Sequence, residues 1–205
     1  AESYSERIAV KIRTLELLSV LDMLCLVILI VIQTLAAMKM SVLNKLLEQR
    51  AYTDAHTGLP NKDACEVLLN NKETVAKHTA CMMFDLNNLK INDTKGHSKG
   101  DQLILNFARL LRNVIPQKDF VGRYGGDEFM VVIYNTSKTE IEDILKQLSR
   151  EKDRLNSSGN NMPIDYACGW AISDADSECT IQMLLDKADY YMYENKQAYK
   201  KFKKS

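Results

Sequence analysis

Three carboxylates stand where the sequence puts strand ends and turns. Asp85 closes the apolar run Ala80 to Leu86, and Asp127 and Glu128 sit side by side in RYGGDEF, Arg123 to Phe129. Acids gathered at strand ends repel one another unless a cation lies between them. Ligands made only of oxygen, with no histidine or cysteine beside them, suit magnesium or manganese better than zinc. Magnesium takes a few carboxylates and completes its shell with water and substrate phosphates, so the natural chemistry is that of a nucleotide-handling site. Gly125 and Gly126 make the turn and also leave bare backbone on which a bulky ligand can lie. Taken alone, the motif reads equally well as a solvent-exposed hairpin whose acids are merely hydrated.

The elements that must position these acids follow from periodicity. Ala80 to Leu86 reads as a buried strand, and Val121–Tyr124 with Glu128–Tyr134 as a hairpin around Gly125 and Gly126. Helices are expected over 63–70, over 101–114 with Leu103, Ile104, Phe107, Leu110 and Leu111 inward, over 139–155, and over 180–200. A further strand is expected over 164–172, after a polar loop at 157–161. Strands alternating with helices, with one tight hairpin, imply an α/β layer structure. Lysine plus arginine equals aspartate plus glutamate at 27 each, so no global field draws this chain to nucleic acid. Five cysteines, an odd number with no C-x-x-C pair, argue for reduced thiols and against a disulfide frame or zinc site.

Residues 1–50 form a separate regime. From Ile8 to Arg50 there is neither glycine nor proline, which suits one long helix, and Met23 to Ile32 is apolar on every side. Leu17 to Met38 is a stretch of 22 residues with one charge, Asp22, and with Gln33 and Thr34 as the main other polar positions. That is long enough to span a bilayer, which takes roughly 20 residues. A soluble coiled coil is the competing reading, because Leu17, Leu21, Leu24, Ile28, Val31, Leu35, Met38 and Val42 alternate by fours and threes. The span is favoured, since a two-stranded coiled coil wants polar residues opposite its seam and Cys25 to Ile32 has none. The readings also combine if spanning helices pair and continue as a coiled coil through Ser41 to Arg50. No small-residue cleavage site follows the run, which speaks against a signal peptide. Opening on Ala1, the sequence is expected to be a piece of a longer chain.

Two further stretches, DAHTGLPNK at Asp54–Lys62 and FDLNNLKINDTKGHSKGD at Phe84–Asp101, join RYGGDEF in order and spacing. Together they strongly resemble the GGDEF family of diguanylate cyclases, over roughly Ala51 to Lys200. The resemblance implies a central, mostly antiparallel sheet flanked by helices, similar to nucleotidyl cyclases and polymerase palms and here preceded by the long N-terminal helix. It implies a domain over 51–205 that condenses two GTP into cyclic di-GMP, with Mg²⁺ or Mn²⁺, as a homodimer in which each copy holds one GTP. Matched residue by residue, Asp85, Asp127 and Glu128 become metal ligands with the carbonyl of Leu86, and Asn92 and Asp101 read guanine. A carboxylate can accept from the ring N–H and the exocyclic amine of guanine, which adenine does not present together. Lys90, Arg123, Lys196 and Lys200 are the cations that would meet phosphates, Lys200 standing where the family usually has arginine. Gly125 and Gly126 become the floor beneath GTP.

The departures carry expectations of their own. Asn87 replaces a second aspartate common in the family, which should leave activity intact. PQKD, Pro116 to Asp119, replaces the R-x-x-D of an inhibitory product site, and proline cannot supply the bidentate grip of arginine. Product inhibition is therefore expected to be absent. His56 stands where the family usually has leucine, His97 reads as loop packing near the guanine pocket, and Trp170 reads as core. The expected location is the inner membrane, anchored through 17–38 with the catalytic domain in the cytoplasm, a wholly cytoplasmic protein being the alternative. A non-catalytic GTP-binding and dimerisation module is the competing function.

Overall fold

The computed structural model describes residues 4–71, 73–87, 97–158, 163–173 and 178–202, without the side chains at 97, 98 and 199–202. Contacts divide the chain into two units, 1–49 and 50–205. The first is part of helix α1, Tyr4–Ala51, which runs unbroken for 48 residues with no buried side chain. By length and composition it can cross a bilayer.

The second unit follows the order α2 (Lys62–Leu69), β1 (Ala80–Leu86), α3 (His97–Val114), β2 (Phe120–Arg123), β3 (Glu128–Ile133), α4 (Lys138–Ser157), β4 (Tyr166–Ile172) and α5 (Ile181–Phe202). The four strands form one antiparallel sheet in the order β2-β3-β1-β4. This is the expected α/β architecture with the sheet antiparallel throughout. Helix α3 begins four residues ahead of the expected Asp101, since Gly100 is buried inside its first turn, where backbone N–H groups lack helical partners in any case. His97 therefore opens a helix instead of lying in a loop.

Alternation along the strands sorts the side chains onto two faces. Ala80, Met82, Phe84 and Leu86 of β1 join Phe129, Val131 and Ile133 of β3 against Leu103, Phe107, Leu111, Ile141 and Leu148 of α3 and α4. The rings of Phe84, Phe107, Phe129 and Tyr166 meet at 5.0–5.8 Å, mostly edge to face. Trp170 packs against this cluster while staying half-exposed. On the other face, Cys81, Met83, Met130 and Val132 pack with Cys65 and Leu69 of α2 and with Leu184, Leu185, Ala188 and Met192 of α5. Position 85 continues the series 81, 83 and so falls on the α5 side. That parity places the site. Helix α4 starts with a capping box: Ser137 accepts from the Glu140 N–H, and Glu140 accepts from the Ser137 N–H at 2.7 Å.

Candidate functional site

Register decides which acids meet. Asp85 lies opposite Glu128 across the β1–β3 ladder, both on the face covered by α5. One residue earlier, the carbonyl of Asp127 accepts from the Leu86 N–H at 3.0 Å, so the backbone at the strand end holds the hairpin in place. Tyr124 to Asp127 form the connection, with the N–H groups of Tyr124 and Gly125 both donating to the Glu128 carbonyl, at 2.9 and 3.2 Å. A Cβ added at Gly125 would lie 2.6 Å from Glu128 Oε2, whereas one at Gly126 would meet none of the described residues within 4 Å. Gly125 thus makes room for the carboxylate, and Gly126 leaves its side of the loop bare.

Asp85 is buried, and its two oxygens have different surroundings. Oδ2 accepts from Lys196 Nζ of α5 at 2.5 Å, while Oδ1 is buried with no hydrogen-bond partner among the described residues. A buried, unpaired carboxylate oxygen is costly unless something positive meets it. Glu128 carries the same signature electrostatically. Burial raises its pKa first, and the charges of Asp127, Asp85 and Asp189 raise it further, against a smaller lowering by Lys196. Three acids around one half-buried glutamate, with an orphaned oxygen beside them, fit a hard divalent cation. Among the described residues no three such groups already converge as a ligand cage.

Asp189 was not expected from the sequence. It lies seven residues before Lys196 on α5, about two helical turns, so both project from one side of the helix. That spacing was the available signal. A Glu128 that serves as a cation ligand must be ionised, so its raised pKa predicts that a metal-dependent activity would fall on acidification earlier than with an ordinary carboxylate. Asp189→Asn removes one of the repelling charges. It should shift the acid limb of the pH–rate profile to lower pH, read from initial rates between pH 5 and 8.

Arg123 turns to the loop. Its guanidinium pairs with Asp54 at 3.1 Å and donates to the Gly126 carbonyl at 2.9 Å. Asp54 also accepts from the N–H and hydroxyl of Thr57, at 2.8 and 2.6 Å. Burial works to raise the pKa of Asp54, but these hydrogen bonds and the guanidinium outweigh it and hold the carboxyl below its ordinary value. Asn61 completes the clasp by donating to Ala51, the last residue of α1, at 2.7 Å, while Arg123 N–H donates to the Pro60 carbonyl at 2.8 Å. Within the second unit, the segment 54–61 therefore ties Ala51 to the glycine hairpin. Its Asp54 had no expected role.

The remaining sequence candidates divide. Lys90 and Asn92 lie outside the described residues, and of Lys200 only the backbone, in α5, is described. Asp101 lies exposed in the first turns of α3, its carbonyl 2.8 Å from Nε2 of His56. A carbonyl only accepts, so Nε2 carries the proton. The histidine in a leucine position thus links the 54–61 segment to the helix bearing Asp101. Asp119 anchors structure: Oδ1 accepts from the Tyr134 N–H at 3.1 Å, beside a surface cleft of about 620 Å³ lined by Pro116, Arg112 and Leu59.

The family model described as "Diguanylate cyclase, GGDEF domain" matches residues 51–201. Diguanylate cyclase DgcP of Escherichia coli is 30% identical over 159 residues, covering 75% of this chain and 47% of that protein. Cyclic di-GMP phosphodiesterase PdeB of Shewanella oneidensis is 32% identical over 146 residues, 70% of this chain and 17% of that one. This chain spans less than half the length of these curated relatives. Among solved structures, the coiled coil and GGDEF domain of DgcB from Caulobacter crescentus, in complex with c-di-GMP, superposes with a TM-score of 0.69. That match, at 23% identity, covers 81% of this chain and 91% of that one, and it bears on the fold.

Proposed function

The chain belongs to the GGDEF domain family, and on that premise we propose that it is an active, Mg²⁺-dependent diguanylate cyclase that condenses two GTP into cyclic di-GMP. The observation that carries this reading is Asp85 facing Glu128 on one side of the sheet, with Asp85 Oδ1 buried and, among the described residues, unpaired beside the glycine hairpin. Asp85, Asp127, Glu128 and the Leu86 carbonyl would hold the cation, which supplies charge neutralisation at the phosphates and acidifies the attacking hydroxyl. In each half-reaction the 3′-oxygen of one GTP bonds to the α-phosphorus of the other. The bond to the β-phosphate breaks, pyrophosphate leaves, and the hydroxyl proton passes to solvent. Lys196, against Asp85, and Lys90 offset the negative charge gathered there. Gly125 and Gly126 admit the nucleotide to the backbone, Arg123 holds the loop that carries them, and Asn92 and Asp101 select guanine. One chain presents one set of these groups, so two GTP face each other only in a homodimer.

Helix α1 anchors the protein in the inner membrane through 17–38, with the catalytic unit in the cytoplasm, supported by its length and apolar composition. Product inhibition of the R-x-x-D type is absent, because Pro116 offers no guanidinium to grip guanine and phosphate.

Purified dimer incubated with GTP and Mg²⁺ should yield cyclic di-GMP on chromatographic separation, none with EDTA, and none from Asp127→Ala. Undiminished product from Asp127→Ala would defeat the reading. Rates should stay constant as added cyclic di-GMP rises through the micromolar range. Inhibition that vanishes in Asp119→Ala would overturn that part. A second reading, a non-catalytic GTP-binding module, is favoured by the resemblance to a phosphodiesterase as well as to a cyclase. It requires GTP binding without product in the same assay.

A further inference from the structure

We infer that two copies of this chain pair within the membrane through the face of α1 that bears Asp22 and Gln33, the face opposite its leucine seam. The inference rests on the membrane-spanning reading. Between Leu17 and Met38 the helix is unbroken, and its strongly polar side chains are Asp22 and Gln33. Thr34 already satisfies its hydroxyl on the Val31 carbonyl at 2.8 Å, whereas among the described residues neither Asp22 nor Gln33 has a side-chain hydrogen bond.

Their spacing is what matters. Eleven residues make three turns with roughly 20° left over, so Asp22 and Gln33 share one side of the helix. Lys11 and Asn44, eleven before and eleven after, extend the same line beyond the span. Small residues Ser19, Ala36 and Ala37 flank it. The seam of Leu17, Leu24, Ile28, Val31 and Leu35 lies about half a turn away.

The surrounding medium then decides which face is covered. In water the leucine seam would pair, leaving Asp22 and Gln33 hydrated. In hydrocarbon, leucine against leucine gains little over leucine against lipid, so apolar contact gives no preference. A carboxyl or carboxamide facing lipid is costly, so these groups turn inward toward a partner. Each lies five residues inside an end of the span, about 7.5 Å deep, and they are about 16 Å apart along the axis. Copies inserted with the same topology are parallel. Asp22 then meets Asp22, and Gln33 meets Gln33, each at its own depth. A second copy supplies both partners at once, and it is also what the half-site of the catalytic unit requires.

Disulfide trapping in native membranes tests this with the whole chain. A Cys25→Ser parent removes the exposed thiol of α1 and gives the baseline from the remaining cysteines. Into it go single changes on the polar face, Leu26→Cys and Leu29→Cys, or on the leucine face, Leu24→Cys and Val31→Cys. After oxidation by copper phenanthroline, cross-linked dimer should be at least about fivefold stronger for positions 26 and 29. Adding Asp22→Leu with Gln33→Leu should lower that yield roughly threefold to tenfold, in keeping with interhelical hydrogen bonds in bilayers. Stronger cross-linking at 24 and 31, or equal yields on both faces, overturns the inference. Alkaline carbonate separates the premise. Release of the protein from the membrane fraction would refute the span itself, and the leucine face should then cross-link.

Discussion

Asp85→Asn is expected to lower cyclic di-GMP formation by about a thousandfold or more while leaving folding stability unchanged or slightly higher. The two effects have opposite physical sources. The proposed reaction needs a full negative charge at this position to help hold the cation, and a carboxamide of the same shape offers only a dipole. Folding gains nothing comparable from that charge. Asp85 is 7% exposed, one of its oxygens has no hydrogen-bond partner among the described residues, and its carboxylate raises the pKa of Glu128 opposite. The bond from Lys196 returns part of that cost, and asparagine keeps an oxygen that can still accept it. Lys196 also has its side chain 25% exposed, so water can solvate the ammonium if the pair loosens. Activity assays and urea unfolding on the same preparation decide the matter. A variant that loses activity only because it unfolds would show the residue to be structural, and one that keeps activity would remove Asp85 from the ligand set.

Gly169→Ala should destabilise the catalytic unit by about 3 kcal/mol or prevent its folding, with no residue of the candidate site touched. The cause is a backbone-on-backbone crossing. A Cβ at 169 would stand 2.1 Å from the Ala188 carbonyl oxygen and 2.2 Å from the Met192 nitrogen, with Tyr191 C at 2.8 Å. A flexible side chain could swing aside from such an approach. The main chain of α5 can do so only by lifting the helix off β4. That displacement would open the cluster of Leu184, Leu185, Ala188 and Met192 and withdraw Lys196 from Asp85. Gly126→Ala is the control, since among the described residues nothing lies within 4 Å of its added methyl. Its stability should stay within about 0.5 kcal/mol of the parent. Equal urea midpoints for the two variants would show that α5 does not depend on the crossing.

The elements of this fold were written locally, and the sequence exposes them for a physical reason. Ala80 to Phe84 is apolar without a break because both faces of the central strand are covered, so the bounds of β1 could be placed to the residue. The glycine pair announces the hairpin, and 3.6-residue periodicity announces α3 and α4. Less was legible where the signal is a distance across the fold. The role of Gly169 depends on α5 passing over it, and nothing beside it in CGWA says so. The charge of Asp189 meets Glu128 only because α5 covers that face of the sheet. Asp54 could be quoted as part of a motif, yet its pairing with Arg123 spans 69 positions.

The sequence by itself determined the chemistry available: acids without soft ligands at strand ends, glycines in a turn, and a first segment apolar enough for a bilayer. Those properties belong to residue types and short spacings, which survive without a fold. The tertiary structure decided which acids share a face and which cation answers them. It put Asp85 against Glu128 by register and Lys196 against Asp85 by the path of α5. It also turned Arg123 away to Asp54 and the loop. Electrostatic interaction falls with separation through space, and separation along the chain does not report it. RYGGDEF therefore named two candidate ligands, and the register of the sheet set Asp85 opposite one of them.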